Sequence, residues 1–191
     1  MDLQKEAENE QQENTHSTTE IKVNENKLNT YIEKLKLEQN LPMGVLAGLL
    51  ASLVGGLLWA AITIITEYQI GYMAIAVGFI VGYGVRYMGK GLDQIYGVIG
   101  AFFALLGCLL GNFFSIVGFA ANEMEMGYME TLNYIDYAVI PEVMGETFSP
   151  IDLLFYGIAI YEGYKFAFRP ITEEEILEHA TDKVISNSDP A

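Results

Sequence analysis

Residues 43–66 read MGVLAGLLASLVGGLLWAAITIIT, 24 residues without a charged side chain. At 1.5 Å per residue a helix of that length extends about 36 Å, enough to cross a hydrocarbon core of about 30 Å with some tilt. Pro42 stands just before the run and suits a helix start, where its missing N–H costs nothing. Small residues recur at every fourth position, Gly44, Gly48, Ser52 and Gly56, so one face can approach another helix closely.

The pattern extends on the C-terminal side. Between residues 41 and 121 there are four charged residues, Glu67, Arg86, Lys90 and Asp93. After the polar break Glu67-Tyr68-Gln69, residues 71–88 predict a second span, joined to the first by a tight hairpin; a single broken or re-entrant element is the alternative. Gly89-Lys90-Gly91-Leu92-Asp93-Gln94 is a polar turn. Residues 95–121 predict a third span of about 40 Å, which should tilt or project.

Residues 122–149 carry Glu123, Glu125, Glu130, Asp136, Glu142 and Glu146 and no Lys or Arg, interleaved with Met and Tyr. That mixture predicts an acidic interfacial segment outside the membrane, with one or two short helices anchored by tyrosines. Ser149-Pro150-Ile151-Asp152 is a helix start: an N-cap, a first-turn proline and a first-turn carboxylate. The helix should run to about Phe168 and stop at Arg169-Pro170. The expected fold is therefore an all-α polytopic membrane bundle with four transmembrane helices, near 43–66, 71–88, 95–121 and 150–168.

The flanks are different in kind. The chain opens Met1-Asp2-Leu3-Gln4-Lys5-Glu6, without the basic-then-apolar order of a signal peptide. Residues 1–26 have too little apolar surface to offset ordering entropy and are expected to be disordered. Leu28, Tyr31, Ile32 and Leu35 recur at helical spacing, predicting either a short amphipathic surface helix or a polar helical lead-in within a tail of residues 1–40. Residues 169–191 form an acidic tail in which Thr172-Glu173-Glu174-Glu175 resembles a capping box, with a weak apolar face at Ile176, Leu177, Ala180 and Val184. That tail is expected to be solvated.

Charge gives the orientation. The net charge is -15, from 25 acidic and 10 basic residues. With the N-terminus inside, Lys5, Lys22, Lys27, Lys34, Lys36, Arg86, Lys90, Lys165, Arg169 and Lys183 all fall inside, and the two outer loops have none. The positive-inside rule then puts both termini in the cytoplasm and the bundle in the cytoplasmic (inner) membrane.

Several function classes drop out. A nucleic-acid partner would need a basic patch. A disulfide framework would need more than Cys108. His16 and His179 lie in the tails, and there is no GxSxG, HExxH or Walker sequence, so no enzyme is expected. Gly82-Tyr83-Gly84 lacks the flanks of a potassium filter. Met124, Met126 and Met129 have no His or Cys beside them, so neither metal nor cofactor is expected.

Two groups of residues remain. Gly44/Gly48, Gly78/Gly82 and Gly107/Gly111 are GxxxG pairs, and Gly97, Gly100, Ala104, Gly107, Gly111, Ser115 and Gly118 make a stripe along the third span. Packing within one chain is favoured over a self-association face. Polar side chains at membrane depth are the default functional candidates: Arg86, Asn112, Glu162 and its i+3 neighbour Lys165. Arg86 should snorkel, Asn112 should bond across helices, and Glu162 should pair with Lys165 or Arg86.

The runs Trp59-Ala60-Ala61-Ile62-Thr63, Thr66-Glu67-Tyr68-Gln69-Ile70-Gly71-Tyr72-Met73-Ala74-Ile75, Val77-Gly78-Phe79, Val81-Gly82 and Val85-Arg86 carry a likeness. Over residues 43–168 the chain resembles a family of small four-span inner-membrane proteins of Bacteroidetes-like bacteria. The resemblance implies a four-span membrane protein and carries over no functional residues. The leading expectation is a non-enzymatic structural or interaction component, with the lipid bilayer and a second copy or other membrane proteins as partners. The alternative is a small oligomeric channel or transporter for ions or a small solute, built around Asn112, Glu162 and the acidic outer loop.

Overall fold

A computed structural model of the protein describes residues 23–68 and 71–181. Among them are eight helices, α1 (Glu25–Leu37), α2 (Leu41–Thr66), α3 (Met73–Gly89), α4 (Gln94–Glu123), α5 (Tyr128–Tyr134), α6 (Ile140–Thr147), α7 (Pro150–Phe166) and α8 (Glu173–Ala180). No strand occurs among the described residues beyond a single bridge between Val23 and Thr181. The disordered segment expected at 1–26 lies almost wholly outside the described residues, as does Val184.

Local chemistry accounts for the helix ends. The Asn40 side chain accepts a hydrogen bond from the Met43 N–H at 3.1 Å and so caps α2, with Pro42 in its first turn. Glu67 and Lys90 close α2 and α3 in the left-handed region, with φ of 57° and 50°. At the start of α7 the Ser149 N–H donates to Asp152 Oδ2 at 2.8 Å, the reciprocal half of a capping box. The helix ends at Phe166, four residues before Pro170.

The chain divides into two units. In the first, Leu35–Pro170, α2 and α4 run one way and α3 and α7 the other. Gly44 of α2 lies beside Gly89 of α3 and Tyr96 of α4, whereas Gly163 of α7 lies beside Gly100 of α4. The inner pair α3 and α4 packs against α2 on one side and α7 on the other. Between them sits the core of Trp59, Val77, Val81, Val85, Ala104 and Cys108, each no more than 1% exposed. Leu46, Leu49, Leu50, Leu53, Leu57 and Leu58 of α2 face outward at 41–54% exposure, an apolar face too broad for a water-exposed helix.

Two helices, α2 and α4, are long and apolar enough to cross a membrane. They become three if α6 and α7, which meet at a bend of 104°, count as one broken span. The expected second and fourth spans are thus shorter than the other two. Residues 71–72 go into a turn, leaving 17 residues in α3, and α7 has 17 because the chain leaves the helix ahead of Pro170. Residues 122–149, expected to hold one or two short helices, contain two, α5 and α6.

The described part of the second unit is residues 23–34 and 171–181. In the C-terminal tail, expected to be solvated, Glu173, Glu174, Leu177, Glu178 and His179 are exposed and Ala180 is buried. The Thr172 side chain accepts from the Glu175 N–H at 3.2 Å and starts α8. The Tyr31 and His179 rings stack at 4.5 Å, and the Asn24 N–H donates to the Ala180 carbonyl at 2.7 Å. An aromatic pair and a backbone hydrogen bond thus join the two flanks.

Candidate functional site

Buried polar groups of α2, α4 and α7 lie on Trp59, Thr63, Asn112 and Tyr156. Asn112 is 3% exposed, and its Nδ2 donates to the Tyr156 hydroxyl at 3.5 Å. That hydroxyl donates in turn to the Cys108 carbonyl, also at 3.5 Å. The Trp59 ring meets the Tyr156 ring edge-on at 6.2 Å, so α2 and α7 touch through these two side chains across the inner pair. Trp59 Nε1 and Thr63 Oγ1, one turn apart on α2, are buried with no hydrogen-bond partner. Ser115 and Ser52 instead satisfy themselves on their own helices, at the Gly111 and Leu49 carbonyls.

Glycines bring the backbones close enough for this. A Cβ on Gly78 would lie 2.6 Å from the Ala159 carbonyl oxygen, and one on Gly82 would lie 2.8 Å from Phe166 Cβ. A Cβ on Gly100 would collide with the Gly163 carbonyl. Gly107 and Gly111 make room for Val77 and Trp59, and Gly44 and Gly48 for Tyr96 and Phe103.

Asn112 therefore faces the inside of its own bundle. The pairing expected of Glu162 does not form. Its Oε2 is buried without a hydrogen-bond partner, while Lys165 Nζ lies 5.5 Å from the Tyr161 ring centroid and 5.6 Å from that of Phe166. An i+3 spacing permits an ion pair but does not fix the rotamers, and the aromatic neighbours hold the lysine. Arg86 sits at the α3 terminus over the Tyr83 ring, at 5.6 Å, one turn beyond Gly82.

Sequence reasoning missed Tyr156, Trp59 and Thr63. Trp59 and Tyr156 read as ordinary span residues, and only their meeting across the inner pair gives them a shared role. It also missed what Gln39, one position of the helical pattern over residues 27–40, ties together. Its Oε1 accepts from the Leu92 and Asp93 N–H groups at 3.0 and 3.3 Å, and its Nε2 donates to Asp93 Oδ2 at 3.0 Å, tying the α2 lead-in to the α3–α4 turn. No family model, curated protein or solved structure matches this chain. The functional reading therefore rests on the geometry itself.

Proposed function

We propose that the protein is a four-span, non-enzymatic component of the cytoplasmic membrane, with both termini inside, that works as a structural or interaction element. The observation that carries this reading is the filled interior. Trp59, Val77, Val81, Val85, Ala104 and Cys108 occupy the space between four helices at no more than 1% exposure, with glycine backbones in direct contact around them. A protein that moves solutes through its own centre needs room there, whereas a membrane scaffold needs a rigid bundle. At 17 residues, α3 and α7 reach the lower end of the length that crosses a bilayer, so they complete four spans where the bilayer thins or their flanks snorkel. Charge supports the orientation. Lys36, Arg86, Lys90, Lys165 and Arg169 gather where α2 and α4 begin and α3 and α7 end, and the far end is acidic. The likeness to small four-span bacterial membrane proteins belongs with this reading.

One observation favours a second reading, ion or proton transfer: the unpartnered Oε2 of Glu162. Liposomes containing the purified full-length protein separate the two. The scaffold reading expects cation and proton flux at the level of empty liposomes for both the parent and Glu162→Gln. Flux in the parent that Glu162→Gln abolishes, with folding intact, would replace it by the second.

A further inference from the structure

At the basic end of the bundle, a cleft of about 370 Å³ opens between the α3 terminus, the α1–α2 connection and the residues after α7. It is lined by Arg86, Lys90, Arg169, Glu38, Tyr83 and Tyr87, with Pro170. Its lining brings three cations and one carboxylate together in a chain whose net charge is -15. Its volume falls in the range of small-molecule clefts, about 300–1,000 Å³.

Glu38 is shared. Its Oε2 lies 3.3 Å from Arg169 Nη1 and 3.6 Å from Lys90 Nζ. Arg86 has no carboxylate within ion-pairing distance among the described residues, and its guanidinium carbon lies 5.6 Å from the Tyr83 ring centroid. Lys90 stands between two glycines in a left-handed conformation, φ 50°, that favours glycine. Tyr83 and Tyr87 are 41% and 77% exposed at the rim, where their hydroxyls can donate.

The geometry points to a binding site for a phosphate ester, with Arg86 as its principal ligand, and we assign that phosphate to the headgroup of an anionic phospholipid. Guanidinium and ammonium groups match phosphate oxygens, and Glu38 pairs with Lys90 and Arg169 but not with Arg86. Basic pockets between helices at the inner surface are where such headgroups sit. Tyrosines at the same level accommodate both the headgroup and the start of the acyl chains. Arg86 would grip the phosphate while Glu38, half-exposed, competes for Lys90 and Arg169. The lipid source rests on the membrane orientation proposed above. The phosphate chemistry of the cleft does not.

The test uses the full-length protein in neutral detergent, titrated with phosphatidylglycerol or phosphatidylcholine and read as bound lipid by native mass spectrometry. Inorganic phosphate and glycerol 3-phosphate serve as soluble competitors. Phosphatidylglycerol should bind at least about tenfold more tightly than phosphatidylcholine, through its net charge at the cationic cleft. Arg86→Gln should weaken it about fivefold, the scale of one basic residue at an anionic surface. Glu38→Gln should strengthen binding, a gain that misfolding cannot mimic. Lys165→Gln, at the same end but outside the cleft, should leave it unchanged. Equal losses in Arg86→Gln and Lys165→Gln would mean diffuse attraction and overturn the site, as would full binding in Arg86→Gln. If glycerol 3-phosphate binds and is lost in Arg86→Gln while phosphatidylglycerol shows no preference, the lipid assignment is overturned. That result would leave the membrane orientation to be judged separately.

Discussion

The two ends of the bundle are held by different physics. At the basic end the connections are tied by polar contacts. Gln39 clamps the α3–α4 turn, Lys36 pairs with Asp93 at 3.7 Å, and Glu38 bridges Lys90 and Arg169. The Arg169 N–H also donates to the Gly91 carbonyl at 2.8 Å. At the acidic end no Lys or Arg occurs between residues 91 and 164, so carboxylates there have no cation to pair with in that stretch. The α5–α6 segment is fastened instead by apolar packing and by neutral hydrogen bonds. Tyr128 donates to the Phe114 carbonyl at 3.1 Å, and burial pushes its phenol above the ordinary value. Beside it, Ile116, Phe119, Ala120, Val139, Ile140 and Val143 surround a mainly apolar cavity of about 440 Å³. The lesson is that the charge asymmetry used to orient a membrane protein also dictates how each end can be closed.

The largest expected effect concerns which end faces which side. In a Cys108→Ala background, a cysteine at Glu130 should react with an impermeant thiol reagent in intact cells, and one at Asn24 should not. The reverse labelling would invert the proposed orientation and leave the structural contrast of the ends standing.

Next come the glycines, which test whether the close backbone approach is equally demanding along the bundle. Gly100→Leu must displace the α7 backbone at Gly163 and should cost about 3 kcal/mol, the upper part of the usual range for overpacking. Gly118→Leu, nearer the acidic end, meets side-chain atoms of Ile64, Cδ1 and Cγ1, that can shift, with Tyr128 Cε2 at 3.7 Å, and should cost about 1 kcal/mol. Gly157→Ala meets nothing within 4 Å and should be neutral or slightly stabilising. Thermal unfolding in detergent, followed by size exclusion, reads all three; equal losses at residues 100 and 157 would refute the close-packing account.

Gln39→Ala removes two acceptor bonds to turn N–H groups and should lose about 1 kcal/mol. No single polar truncation in α6 should match it; Glu142→Gln there is expected within about 0.5 kcal/mol of the parent. Asp93→Asn tests the ion pair at that turn. Its pair with Lys36 is half-exposed, so the loss should stay below about 1 kcal/mol and shrink as salt is raised. A loss that grows with salt would contradict the assignment.

Much of this was legible in the residues. The helix starts at Pro42 and Ser149-Pro150 were readable because capping is a local matter, settled within a turn of the backbone. So was the capping box at Thr172. The glycine faces were readable because spacing of three or four fixes a helix face. Partners were not readable. Nothing in the spacing of Glu162 and Lys165 reveals that aromatic rings hold the lysine, because that choice belongs to rotamers and to neighbouring turns.

The sequence by itself determined that the chain is helical, where its apolar runs begin and end, and which end collects the positive charge. Each of these depends on composition and on interactions within one helical turn. Only the tertiary structure decided that Asn112 bonds to Tyr156, that Gly100 faces Gly163, and that Arg86, Lys90 and Arg169 surround one cleft. Those pairings join residues 44, 63 and up to 83 positions apart in the chain. Helix periodicity states which face is apolar or small, but lipid solvates every apolar face alike, so the choice of partner waits on how the backbones fit.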